Sequence, residues 1–98
     1  MMFKGAIAEN YVANQLNSNG LPLYYWKSLN SAKIDFIIYN NDGIIPIEVK
    51  SGNNTQSKSL KVYVEKYNPT YSIRISTKNF GFSGNIKSIP LYATFCII

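Results

Sequence analysis

A chain of 98 residues, 46% hydrophobic and 14% aromatic, holds one globular core and is too apolar for a disordered segment. It has no histidine and one cysteine, which excludes a Ser-His-Asp triad, an internal disulfide and a zinc site of the usual nitrogen and sulfur ligands. The net charge of +5 is carried wholly by residues 51–98, where Lys58, Lys61, Lys66, Arg74, Lys78 and Lys87 outnumber Glu65, and it reads either as a solvated basic surface or as a face for a polyanion.

In chain order, residues 3–18 predict a helix that stops at Asn19-Gly20. LYYWKSL (23–29) and KIDFIIY (33–39) predict two strands, being rich in aromatic and β-branched residues. Asn40-Asn41-Asp42-Gly43 is turn chemistry, and residues 44–51 form the return strand of that hairpin. Gly52-Asn53-Asn54 breaks the chain before a second helix over 55–67, capped by Thr55 or Ser57 and ended by Asn68-Pro69. Residues 71–76 predict a further strand, Gly81 and Gly84 a loop, and LYATFCII after Pro90 a short helix or a strand with Cys96 buried in it. The order αβββαβ is that of a single mixed α/β domain over residues 1–98. No apolar run reaches the roughly 20 residues of a membrane span, and MMFKGAIAENYVANQL lacks the layout of a secretory signal. With one cysteine, the expected setting is a reducing cytoplasm and no membrane partner.

The hairpin carries three charges where a plain core strand would place Val or Ile: Asp35, Glu48 and Lys50. Alternation puts Ile34, Phe36 and Ile38 on one face of the first strand and Lys33, Asp35, Ile37 and Tyr39 on the other. On the return strand Ile45, Ile47 and Val49 oppose Ile44, Pro46, Glu48 and Lys50. Pairing Tyr39 with Ile44 sets Asp35 opposite Glu48; a shift of two sets Asp35 opposite Lys50. Either register leaves the three charges on one side, and an odd-length loop or a bulge would separate them. Close carboxylates repel, so the arrangement suggests a cation; with the Val49 carbonyl they are oxygen ligands suited to Mg²⁺ or Mn²⁺. An ordinary hairpin with one wet face is the simpler reading, but Ile37, Tyr39, Ile44 and Pro46 are too apolar for a freely solvated one.

At about 100° per residue, Gly5, Ala6, Glu9, Val12, Ala13 and Leu16 form one stripe of the first helix with Glu9 in its middle. Glu9 either reaches solvent at the stripe's edge or joins Asp35 and Glu48 around one cation. Tyr24, Tyr25 and Trp26 read mainly as core and edge packing of a strand, with base stacking the sharper alternative.

A helical Glu9, then Asp35, a hairpin, and Glu48-Val49-Lys50 resemble the PD-(D/E)xK nuclease superfamily, whose restriction-endonuclease-like core is αβββαβ. More narrowly, KGAIAENYVANQL, LYYWKSLNSAKIDFII, IPIEVKSG and IPLYATF look like the domain-of-unknown-function family 4143, which follows an AAA-type ATPase module in many prokaryotic proteins. The similarity spans residues 3–97, with Ile34 standing where the superfamily motif has proline. The resemblance implies a metal-dependent nuclease in which Asp35 and Glu48 hold Mg²⁺ or Mn²⁺, Glu9 assists them and Lys50 positions the attacking water. Lys58, Lys61, Arg74 and Lys78 would contact the backbone of a nucleic acid, DNA in the first instance. The alternative is a non-catalytic nucleic-acid- or partner-binding accessory domain of an AAA-type ATPase. Pairing of two copies stays open.

Overall fold

The first helix, α1 (Gly5–Ser18), buries Ala8, Val12 and Leu16, a stripe of residues four apart. The computed structural model describes residues 5–28, 32–50 and 58–97; the expected caps Thr55 and Ser57, the break at 52–54, and residues 3, 29 and 51 lie outside them. Helix α1 ends as its Asn19-Gly20 pair predicts. Gly20 takes φ +79, its N–H donates to the Asn17 carbonyl at 3.0 Å, and the Leu21 N–H reaches back to Leu16 at 3.1 Å. A side chain at Gly20 would oppose that left-handed turn.

The strands β1 (Tyr24–Lys27), β2 (Lys33–Asn40), β3 (Gly43–Val49), β4 (Ser72–Ser76), β5 (Gly81–Ser83) and β6 (Ile86–Pro90) form one sheet in the order β1-β2-β3-β4-β6-β5. Strands β1 to β3 are antiparallel, while β3, β4 and β6 run parallel and β5 returns antiparallel to β6. The parallel step from β3 to β4 needs a long crossover, and helix α2 (Lys58–Tyr67) lies within it. Asn68, at φ +47, and Pro69 stop α2 where expected. The domain is thus of the mixed α/β class. Among the described residues no helix is long and apolar enough to cross a membrane.

Two apolar layers hold the sheet. On one face Ala8, Val12 and Leu16 of α1 pack on Ile38, Ile45, Ile47, Ile73 and Ile75; on the other Leu60 and Tyr63 of α2 pack on Ile34, with Ile37 and Ile86 beside them. Burying each such aliphatic side chain contributes about 1.5–3 kcal/mol.

Three expectations change. The segment around Gly81 and Gly84 is a hairpin, not a loop. Gly84 (φ +56) and Asn85 (φ +66) are the two left-handed residues of a tight turn whose twist suits the strands it joins, with Ser83 paired to Ile86. The tail resolves into a 3-10 helix, Leu91–Cys96, directly after Pro90 ends β6. It buries Leu91, Ala93 and Thr94 and leaves Cys96 exposed rather than buried. Tyr24 and Tyr25 are also exposed on the sheet's edge strand; of that run it is Trp26 that packs inward.

Candidate metal and nucleic-acid site

The hairpin takes the register that pairs Tyr39 with Ile44, with Asn40 opposite Gly43 and Phe36 opposite Ile47. The turn is held by the Asp42 N–H, which donates to the Asn40 side-chain carbonyl at 2.8 Å. The outer ladder is less regular. Tyr24 pairs with Ile37 but Trp26 pairs with Ile34, so two steps of β1 face three of β2, and β2 carries a bulge at residues 35–36. The bulge corrects the expected faces: Ile34 packs with Leu60 and Tyr63 beneath α2, whereas Phe36 and Ile38 remain on the α1 side. A bulge reverses the alternation for every residue beyond it.

Asp35 sits in that bulge. Its carboxylate turns edgewise across the ladder, where Oδ2 accepts a hydrogen bond from the Val49 N–H at 3.4 Å, and Oδ1 lies 3.8 Å from Lys33 Nζ. The exposed Lys33 adds little to stability at that distance. Asp35 also lines a cleft of about 420 Å³ with Glu9, Asn10 and Ala13 of α1. Glu9 is on the flank of the apolar stripe rather than in its middle, half-buried beside Asp35. Partial burial pushes its pKa above the ordinary 4.5; the Asp35 charge and a side-chain hydrogen bond with Asp35 add to the rise, and Lys33 offsets part of it.

Glu48 lies between Ile47 and Val49, which face the α1 core, and so points to the other side of β3. It is 4% exposed, its Oε1 is 3.5 Å from Lys50 Nζ, and its Oε2 has no hydrogen-bond partner. Arg74 pairs with Glu48 in register across β3 and β4, and its guanidinium donates to Ser88 Oγ at 3.2 Å. Among the described residues no three acidic, histidine or cysteine side chains gather closely enough to enclose a metal ion. The four expected site residues stand as two pairs, Glu9–Asp35 and Glu48–Lys50, joined through the Val49 N–H. The expected single cluster is divided because the bulge frees Asp35 from the parity that governs Glu48.

Of the expected phosphate-contacting residues, Lys58 and Lys61 are exposed on α2, and Lys78 follows the end of β4, its N–H donating to Ser76 Oγ at 3.1 Å. Lys61 borders a separate hollow with Asn68, Pro69 and Gly84, apart from the acidic cleft. Sequence reasoning missed Lys27 and Lys33, which border that cleft, and gave Tyr25 and Trp26, which border it too, only as strand packing or base stacking. Lys27 stands directly opposite Lys33 in the β1–β2 ladder. The two lysines at the facing ends of their strand segments were the available signal, and their pairing continues the Trp26–Ile34 register without depending on the bulge.

Fold and site define a small mixed-sheet domain with a half-buried acidic cleft at the junction of its first helix and first three strands. Residues 4–94 match the family described as "Domain of unknown function (DUF4143)", and the chain belongs to that family. No curated protein and no solved structure matches the chain.

Proposed function

We infer that this domain is a nuclease-like member of the PD-(D/E)xK superfamily, a phosphodiesterase that acts on nucleic acid with Mg²⁺ or Mn²⁺ as cofactor. The observation that supports this reading is the buried, unpartnered Oε2 of Glu48 beside the Lys50 ammonium. A carboxylate oxygen withheld from water without a donor is costly, and a hard cation is a partner suited to it. Glu9 and Asp35, carboxylates that line one cleft, are oxygen ligands of the same kind. These oxygens are of the kind such an ion takes, and Asp35, Glu48, Glu9 and the Val49 carbonyl would hold it once drawn together, since among the described residues no three acidic side chains gather closely enough to enclose it. Once bound, it would supply a water of lowered pKa and positive charge against the phosphate.

The chain's own residues would do the rest. The Val49 N–H fixes the orientation of Asp35. Lys50, in contact with Glu48 and still partly open to solvent, keeps N–H bonds for an attacking water or a phosphate oxygen. Lys58, Lys61, Arg74 and Lys78 offer charge to the nucleic-acid backbone without reading its sequence. A cytoplasmic setting suits the exposed free thiol of Cys96.

The division of the charged cluster into two pairs favours a second reading, a non-catalytic nucleic-acid- or partner-binding accessory domain serving an AAA-type ATPase. A plasmid-nicking assay in Mg²⁺ separates them. Catalysis requires nicking by the wild type and a loss of about 100-fold or more in Lys50→Ala. Equal inertness of both proteins, with DNA still retarded in a gel, establishes the binding module.

A further inference from the structure

The parallel strands β3, β4 and β6 carry one polar row on the α2 side of the sheet. Glu48 of β3 pairs in register with Arg74 of β4, and Arg74 in turn with Ser88 of β6. Side chains in register on neighbouring strands share a face. The residues that alternate with them, Ile47, Val49, Ile73, Ile75 and Ile89, face the α1 core. Because β4 lies between β3 and β6, Arg74 has a carboxylate on one flank and a hydroxyl on the other.

The guanidinium turns to the hydroxyl. It donates to Ser88 Oγ at 3.2 Å, toward β6, while on the opposite flank Glu48 Oε2 is buried with no hydrogen-bond partner. Arginine and carboxylate form short, strong and often bidentate hydrogen bonds, and opposite charges set directly across two strands stabilise a sheet. Drawing the guanidinium the other way leaves that contact unmade and a buried oxygen unsatisfied, which costs stability. Lys50 does not compensate, since its partly solvated ammonium lies 3.5 Å from Oε1, the other oxygen of the same carboxylate.

We propose that Ser88 is a positioning residue, holding Arg74 off Glu48 and so reserving Oε2 for a divalent cation. Released from Ser88, the planar fork of the arginine would close on the carboxylate and compete with the ion for the same lone pairs. The inference rests on the metal-binding reading of Glu48 and adds what keeps that ligand from being neutralised within the protein.

The test is calorimetric titration of the intact chain with Mn²⁺, alongside scanning calorimetry without metal. Ser88→Ala lowers Mn²⁺ affinity about tenfold or more, the scale of one hydrogen bond to a charged group. Without metal it melts no lower than the wild type, because Oε2 gains a donor. Ser88→Thr keeps an Oγ for Arg74 and retains the wild-type affinity. The double variant Ser88→Ala/Arg74→Met removes the competing guanidinium and recovers at least the wild-type affinity. Equal Mn²⁺ affinity of the wild type and Ser88→Ala overturns the proposal while leaving the metal reading intact. A loss that the double variant does not recover, or a lower metal-free melting temperature of Ser88→Ala, would mean that Ser88 only supports the sheet, and overturns the proposal as well. Failure of the wild type to bind Mn²⁺ overturns both.

Discussion

The Oδ2 oxygen of Asp35 accepts a hydrogen bond from the Val49 N–H, 3.4 Å away and 14 positions along the chain. That contact joins the bulge of β2 to the strand that carries Glu48 and Lys50. It also makes Asp35 the link between α1, through Glu9, and the Glu48–Lys50 pair. The acidic cleft therefore exists because β2 is irregular, and a perfectly alternating strand would not open it.

The buried Glu48 should be a stability liability in the metal-free protein. Its Oε2 lacks a partner, and its attraction to Lys50 is weakened because that lysine is partly solvated. Glu48→Gln should leave the melting temperature unchanged or raise it by a few degrees, as strained functional groups do on removal. Scanning calorimetry without metal checks this. A drop equivalent to about 3 kcal/mol would instead mean that the ion pair is a net support of the fold.

Glu9 sets a pH dependence. Burial first, then the Asp35 charge, raises its folded-state pKa above 4.5, so the folded protein holds this proton more tightly than the unfolded chain does. Its contribution to stability is complete below 4.5 and is lost as pH rises through the raised value. Glu9→Gln should accordingly stabilise the protein at neutral pH, with the gain vanishing as the pH falls below 4.5. Urea unfolding of both proteins across that range measures the difference; a gain that grows toward low pH contradicts the assignment.

The bulge makes a prediction about Ile34. Because this side chain packs with Leu60 and Tyr63, Ile34→Ala should cost about 2–5 kcal/mol and loosen α2 selectively. Hydrogen exchange should show faster opening of amides in Lys58–Tyr67 than in Gly5–Ser18. Equal loosening of both helices would return Ile34 to the α1 side.

Much of this architecture is legible in the residues. Asn19-Gly20 and Asn68-Pro69 end their helices for local reasons, and the aliphatic face that Ile38, Ile45 and Ile47 must bury narrows the hairpin to two registers, of which the chain takes the Tyr39–Ile44 pairing. The face of Glu48 follows from parity alone. The face of Asp35 does not, because the bulge arises from pairing with β1 across a separate turn, a long-range choice with no mark in KIDFIIY. The Gly84-Asn85 pair likewise reads as a breaker until its short flanking strands are recognised as a hairpin. The exposure of Cys96 has no mark in the apolar run LYATFCII.

Gly20 offers a local check on the α1 terminus. A side chain added there meets no neighbouring atom, so the cost of Gly20→Ala is conformational, about 1–2 kcal/mol for holding φ +79. Equilibrium urea unfolding reads it directly, and an unchanged midpoint would mean that the helix ends differently.

The central claim is that Glu9, Asp35 and Glu48 together serve one divalent ion, and calorimetric titration of the intact chain with Mn²⁺ tests it most directly. The account predicts a single Mn²⁺ bound per chain by the wild type, lost in both Asp35→Asn and Glu48→Gln although these residues lie in different pairs. Absence of binding to the wild type, or binding that survives either substitution, would contradict it.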